Sequence, residues 1–361
     1  MSLYRNAVWF LKGWQEYTKG GYQVASKNFA QTDLDVDCSG RIYMITGANS
    51  GIGKCVAQEI AQRGGTVHML CRNPQSAETA KNEISEATNN QNVYVHILDM
   101  SQPRSVFKFA KEFEAQNEKL DVLVNNAGCM VNSREVDVDG LERNFATNTL
   151  GPHILTKLLI PALKKSDKPR ILMVSSGGML VQKLNAEDLQ FEKMAPFDGT
   201  MAYSQNKRQQ AQARDSSFHK PPYLHPTPPV SDGIFRAETT GVSWCARTVH
   251  QVIMMECLAR EHPDIFLAAM HPGWADTPAV RSAMPDFYQR MKDRLRTAEQ
   301  GADTAVWLAI SDTALKHPSG LFFQDRSPVP THLPLAWTKT TKDQDEQFIT
   351  RLNELLDKFK D

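Results

Sequence analysis

The sequence predicts an α/β fold: a doubly wound parallel sheet in a single domain, preceded by an N-terminal helical extension. Three observations carry that prediction. From residue 41 onward, short apolar runs of β-forming residues alternate with stretches of helical period, the pattern of a parallel sheet covered on both faces. A glycine-rich string follows the first such run and leads directly into the first helical stretch. The chain has 361 residues, 41% of them hydrophobic, which is enough for one large core.

In chain order, the extension (1–39) carries Leu3, Tyr4, Ala7, Val8, Phe10, Leu11 and Trp14 at roughly helical spacing, predicting an amphipathic helix. Arg5 and Lys12 interrupt the stripe, whereas a membrane span needs about 20 apolar residues. A secretory signal is not expected either, because no small-residue cleavage site follows. The favoured reading is a helix packed on the domain or on a partner subunit, which leaves a homo-oligomer open. The other is peripheral contact with a membrane, since Trp9, Trp14, Tyr4 and Tyr17 suit a lipid headgroup boundary.

Strands are expected at 41–46, 66–71, 93–98, 121–124, 170–175, 265–270 and 320–323. Helices are expected near 52–63, 75–87, 103–116, 139–165, 201–210, 251–260 and 297–310. Residues 211–250 break this rhythm, with Pro221, Pro222, Pro226, Pro228 and Pro229 in a polar setting, and are read as an insertion from an alternatively spliced segment. The domain thus spans 40–335 with that interruption, and 336–361 is a C-terminal helix, charged and amphipathic from Thr341.

The 41 basic and 41 acidic residues balance, so overall charge argues against a nucleic-acid partner. Six cysteines (Cys38, Cys55, Cys71, Cys129, Cys245, Cys257) form no C-x-x-C or cysteine-histidine cluster. They read as reduced thiols of a cytoplasmic protein, and no metal is expected.

After the first strand comes Thr46-Gly47-Ala48-Asn49-Ser50-Gly51-Ile52-Gly53, then a helix with Val56, Ile60 and Ala61 on its apolar face. Glycines there let the backbone turn sharply and approach a pyrophosphate, while the helix N-terminus offers N–H groups and partial positive charge. The spacing T-G-x-x-x-G-x-G resembles the short-chain dehydrogenase/reductase family, which implies a Rossmann fold and a nicotinamide cofactor. An acidic residue ending the second strand would favour NAD, but the strand ends Met69-Leu70-Cys71-Arg72. Arg72 could pair with a 2′-phosphate, so NADP is favoured, with NAD as the lesser alternative. Asp99 matches the family's adenine-contacting aspartate, and a helix cap explains it equally well.

Asn125-Asn126-Ala127-Gly128 resembles the family's segment at the cofactor edge; its small residues allow close backbone approach. Tyr203-Ser204-Gln205-Asn206-Lys207 places a phenol and an ammonium on one helix face. A neighbouring ammonium lowers a phenol's pKa from about 10, easing proton exchange near neutrality. A second such pair, Tyr288 and Lys292, follows Pro285 beyond the last expected active-site strand and is rejected. The resemblance implies that Ser176, ending Val174-Ser175-Ser176, hydrogen-bonds the substrate oxygen. It likewise implies that Asn148 holds a relay water, that Lys207 holds the nicotinamide ribose, and that Tyr203 is the acid/base. In His271-Pro272-Gly273-Trp274-Ala275-Asp276-Thr277, Pro272 and Gly273 match the family's P-G segment, and Thr277 would meet the carboxamide.

The T-G-A-N-S-G-I-G-K form, the C-R-N strand ending and the long segment from Ser176 to Tyr203 place the resemblance nearest the branch containing retinol dehydrogenases. It covers about 40–335 apart from 211–250. Met179, Leu180, Val181, Met284 and Phe287 suggest an apolar carbonyl or alcohol substrate or, equally, ordinary packing. Residues 251–260 read as the displaced second half of the Tyr203 helix, and a broken helix would loosen the site. That leaves a second function class, a cofactor-binding or interaction protein with impaired turnover. A nucleotide-sugar epimerase is a third, disfavoured by the glycine spacing.

Overall fold

The computed structural model describes residues 2–210, 253–333 and 335–360. An eight-stranded sheet runs in the order β3-β2-β1-β4-β5-β6-β7-β8. Its strands are β1 (Ile42–Thr46), β2 (Thr66–Cys71), β3 (Val93–Ile97), β4 (Val122–Asn125), β5 (Arg170–Val174), β6 (Phe266–Met270), β7 (Leu321–Gln324) and β8 (Ser327–Pro328). All neighbours pair in parallel except the final β7–β8 hairpin. The first seven lie within a residue or so of their expected places. The eighth escaped prediction because Asp325 and Arg326 make its turn with φ of 49° and 58°, without the Asn-Gly signal that such turns usually carry.

Thirteen α-helices surround the sheet among the described residues: α1 (Ser2–Glu16), α2 (Lys19–Ala25), α3 (Gly51–Gln62), α4 (Pro74–Thr88), α5 (Pro103–Gln116), α6 (Arg143–Phe145), α7 (Gly151–Leu163), α8 (Gly199–Gln210), α9 (Ile253–Glu261), α10 (Pro278–Ala283), α11 (Pro285–Met291), α12 (Ala298–Ile310) and α13 (Lys342–Asp357). Strand residues alternate between two cores because successive side chains face opposite sides. Met44 and Leu123 join Val106, Leu155 and Leu258 from α5, α7 and α9. Ile45 and Val124 join Val56, Ile84 and Val306 from α3, α4 and α12.

The helix expected over 139–165 begins later and is not uniform. Asp137 accepts the N–H groups of Asp139 and Leu141, holding 137–141 as a turn, and Glu142 then caps α6. A π-helical turn, Ala146–Leu150, joins α6 to α7. The C-terminal helix starts at Lys342 rather than 336, behind a Thr341–Gln344 capping box. The stretch before it crosses the buried Arg208 of α8, which donates to the carbonyls of Thr331 and Thr338. The expected insertion at 211–250 lies outside the described residues. On either side of it α8 and α9 touch each other, and α9 packs on β6.

The extension packs on its own domain. Arg296 gathers it in, donating to the carbonyls of Glu16, Tyr17 and Thr18 while forming a two-pronged ion pair with Asp325 at 2.6 and 2.9 Å. Further along, Asp33 accepts from the Trp307 indole and the Thr313 hydroxyl.

Candidate active site

Strand order reverses between β1 and β4, so the loops at their C-terminal ends diverge and leave a crevice, the usual binding place in such sheets. A cleft of about 440 Å³ lies there. All the site residues expected from the sequence line it except Thr46, Gly53 and Asn148, which stand behind its wall.

Thr46 is fully buried, and its hydroxyl accepts the N–H groups of Asn126 and Ala127, tying the ends of β1 and β4 together. Asn126 answers by donating to the carbonyls of Thr46 and Gly47. Gly47 turns with φ of 66°, and a Cβ there would lie 3.1 Å from the Ala127 backbone. Ser50 provides no side-chain cap for α3, so the first-turn N–H groups keep the donor set that a phosphate needs. Arg72 is exposed at the end of β2, beside this cradle. Asp99 lines the cleft and also accepts from the backbone and hydroxyl of Ser101, but it caps no helix, because the residue at the start of α5 is Gln102. Thr277 caps α10 by accepting the Val280 N–H.

The chemical groups converge across three elements. Lys207, 2% exposed on α8, donates from Nζ to the Val174 carbonyl at 2.9 Å and lies 5.4 Å from the Tyr203 ring centre. Ser175 fixes the helix from the strand side, donating to the Lys207 carbonyl. Gly128 makes room: a Cβ there would sit 3.2 Å from Asn148 Oδ1 and 3.4 Å from Lys207 Nζ. Asn148, in the π turn, accepts the Cys129 N–H and donates to its carbonyl, both at 2.8 Å. Such turns often mark functional positions because they re-aim a side chain within a helix.

Electrostatics correct one expectation. The phenol of Tyr203 is pushed up to about 12 by burial, with Cys129 adding to the shift and a hydrogen bond to Ser176 opposing it. Burial also brings Lys207 down to about 8, against a smaller opposing effect of Cys129. The lysine's charge is costly to hold in this enclosure, so it does not bring the phenol down. Because its folded pKa lies below the ordinary 10.5, the buried ammonium opposes folding below about pH 8, and that penalty fades between 8 and 10.5. If catalysis needs this ammonium, kcat/KM should fall as pH rises through about 8. A kcat/KM profile flat to about pH 10 would remove the Lys207 ammonium from the proton path.

Other expectations divide. Met284 and Phe287 line the cleft, but Met179 and Leu180 are buried in the core and Val181 packs against it. Tyr288 and Lys292 stay out of the cleft lining, in keeping with their rejection. Sequence reasoning missed Cys129 and Trp274 as lining residues. It also missed the latch from the extension: the Trp9 indole donates to the Gly177 carbonyl at 2.7 Å, next to Ser176. No local pattern could have linked residues 168 positions apart.

Comparison with known proteins agrees with this architecture. The family model for short chain dehydrogenase matches residues 41–186. The chain belongs to the short-chain dehydrogenase/reductase family, a family of oxidoreductases. It is 51% identical to human dehydrogenase/reductase SDR family member 12 over the whole of both chains. It is 40% identical to human retinol dehydrogenase 11, covering 80% of this chain and 79% of that one. Among solved structures, a short chain dehydrogenase of Escherichia coli CFT073 in complex with NADPH aligns with a TM-score of 0.56 at 21% identity, covering 82% of this chain and 100% of that one.

Proposed function

We propose that this chain is an NADP(H)-dependent oxidoreductase acting on an apolar carbonyl or alcohol, with Tyr203 as the group that exchanges a proton with the substrate oxygen. The observation that carries the reading is the convergence of Ser176, Tyr203 and Lys207 on one cleft beside a glycine cradle. Bound there, the nicotinamide would supply or accept the hydride. The chain's own groups do the rest. Ser176 Oγ donates to the carbonyl oxygen, Tyr203 delivers the proton that makes it an alcohol, and Lys207 restores that proton through Asn148 and solvent. The phenol is protonated at neutral pH, as a proton donor in a reduction must be.

The cradle, Asp99, Asn126, Ala127 and Gly128 would hold the cofactor, and Pro272, Gly273 and Thr277 would close on its nicotinamide end. NADP is preferred over NAD because Arg72 stands where a carboxylate would otherwise meet the ribose hydroxyls. Arg72→Glu should weaken NADPH binding by about 10-fold or more while changing NADH little, as read by fluorescence titration. Met284, Phe287 and Trp274 give the substrate end an apolar wall, and a relative named for retinol oxidation fits an apolar alcohol.

No described helix is long and apolar enough to cross a membrane. We read the protein as cytoplasmic, with peripheral membrane contact. The experiment that tests the function is NADPH oxidation with a panel of aldehydes and ketones, on the full chain and on one lacking 211–250. Turnover by the full chain supports the enzyme reading. Cofactor binding without turnover, restored by the deletion, favours the second reading, a spliced form in which the insertion has impaired catalysis.

A further inference from the structure

The first helix carries apolar residues on both faces: Val8 and Trp9 pack inward against the core, and a second apolar stripe faces outward. In α1 the half-buried positions include the charged Arg5, Lys12 and Glu16. Most of the outward positions are apolar: Tyr4 is 44% exposed, Phe10 44%, Leu11 63% and Trp14 41%, with Ala7 also exposed between them and Asn6 and Gln15 as the polar exceptions. Tyr4, Ala7, Leu11 and Trp14 follow one another at spacings of three and four and so form one stripe. Surface helices normally turn such a stripe inward, and a contiguous exposed one marks an interaction face.

The helix is firmly seated. A Cβ on Gly13 would lie 2.3 Å from the Trp274 ring, Trp9 meets Trp274 edge-on with centroids 5.7 Å apart, and the Trp9 indole is bonded to Gly177. The stripe is also continuous with the mouth of the cleft. Phe10 lies 5.8 Å from Trp274, which lines the cleft and stands 5.3 Å from Phe287, another lining residue. The segments that carry and adjoin it have a positive excess. Residues 1–25 carry three against one carboxylate and residues 285–295 three against two, in a chain of zero net charge. The Arg294 guanidinium covers the Trp14 ring at 4.1 Å. Against a second copy of this face the same positive excess would repel, whereas an anionic bilayer surface complements both the charge and the aromatic stripe.

We propose that the outer face of α1 docks into the headgroup boundary of an anionic lipid membrane and presents the mouth of the cleft to it. The docking stands on the helix alone. The passage of an apolar substrate from lipid into the cleft rests on the oxidoreductase reading above.

The test is co-sedimentation of the full chain with vesicles of phosphatidylcholine, with and without phosphatidylserine. The result expected is binding to the phosphatidylserine vesicles that weakens as salt is raised. The combined variant F10S/L11S/W14S should lose about tenfold or more in partitioning. Its circular dichroism and NADPH titration should match the parent's, which separates lost docking from lost folding. A parent chain that stays in the supernatant with both vesicles overturns the proposal, as does a variant that binds as well as the parent. A concentration-dependent dimer that the variant abolishes, with no vesicle binding, would overturn it in favour of a second copy. NADPH binding without vesicle binding sinks the docking alone; vesicle binding without turnover on any carbonyl sinks the oxidoreductase reading alone.

Discussion

Tyr203→Phe is expected to lower kcat/KM for carbonyl reduction by about 10²- to 10⁴-fold while leaving NADPH binding nearly unchanged. The range is that of a positioned proton donor acting in the transition state. The substitution removes one oxygen and keeps the ring, so the packing of α8 beside Lys207 is preserved. The loss should fall on kcat more than on KM, because the proton moves only as the substrate oxygen gains charge. Steady-state kinetics of both forms, with fluorescence titration of NADPH, makes the comparison. A variant retaining a tenth or more of parental kcat would mean, on roughly that scale, that another group supplies the proton.

Arg296→Met should have the largest effect on stability. The guanidinium is 1% exposed and balances Asp325, which is 8% exposed, through two short contacts. Removing it strands a buried carboxylate and three carbonyls of the extension, and breaking such a pair typically costs about 3–5 kcal/mol. For a chain of this size that corresponds to a fall in Tm on the order of 10 °C. The double change Arg296→Met with Asp325→Leu should recover much of the loss, since no charge is then left unpaired. Thermal unfolding of the three proteins decides the point. Equal melting of single and double variants would show that the carbonyl contacts, and not the ion pair, carry the stabilisation.

Local pattern made most of the sheet legible, because parallel strands buried on both faces read as continuous apolar runs such as Ile171-Leu172-Met173-Val174. The glycine cradle was legible for the same reason: its chemistry and its strand-loop-helix context are contiguous. What escaped depends on partners distant in the chain. The burial that raises Tyr203 comes from the surrounding fold, and the ammonium at i+4, which is visible in the sequence, pointed the opposite way. Met179 and Leu180 looked like pocket residues from their place after Ser176, yet the short helical turn that Ser176 begins carries them into the core. The outward stripe of α1 was visible as a stripe, but its direction was not, since periodicity does not tell which face a helix presents.

The latch from Trp9 to Gly177 and Trp274 also bears on how the protein is made. At about 5–20 residues per second, α1 leaves the ribosome on the order of ten seconds before Trp274 follows it. Throughout that interval the inner seat of the helix lacks its native covering, beside an outer stripe that is exposed in the finished fold as well. Nascent chains that stop before Trp274 therefore present two adhesive faces instead of one. Translation pauses in that window should favour aggregation or capture by chaperones, and pauses after it should not.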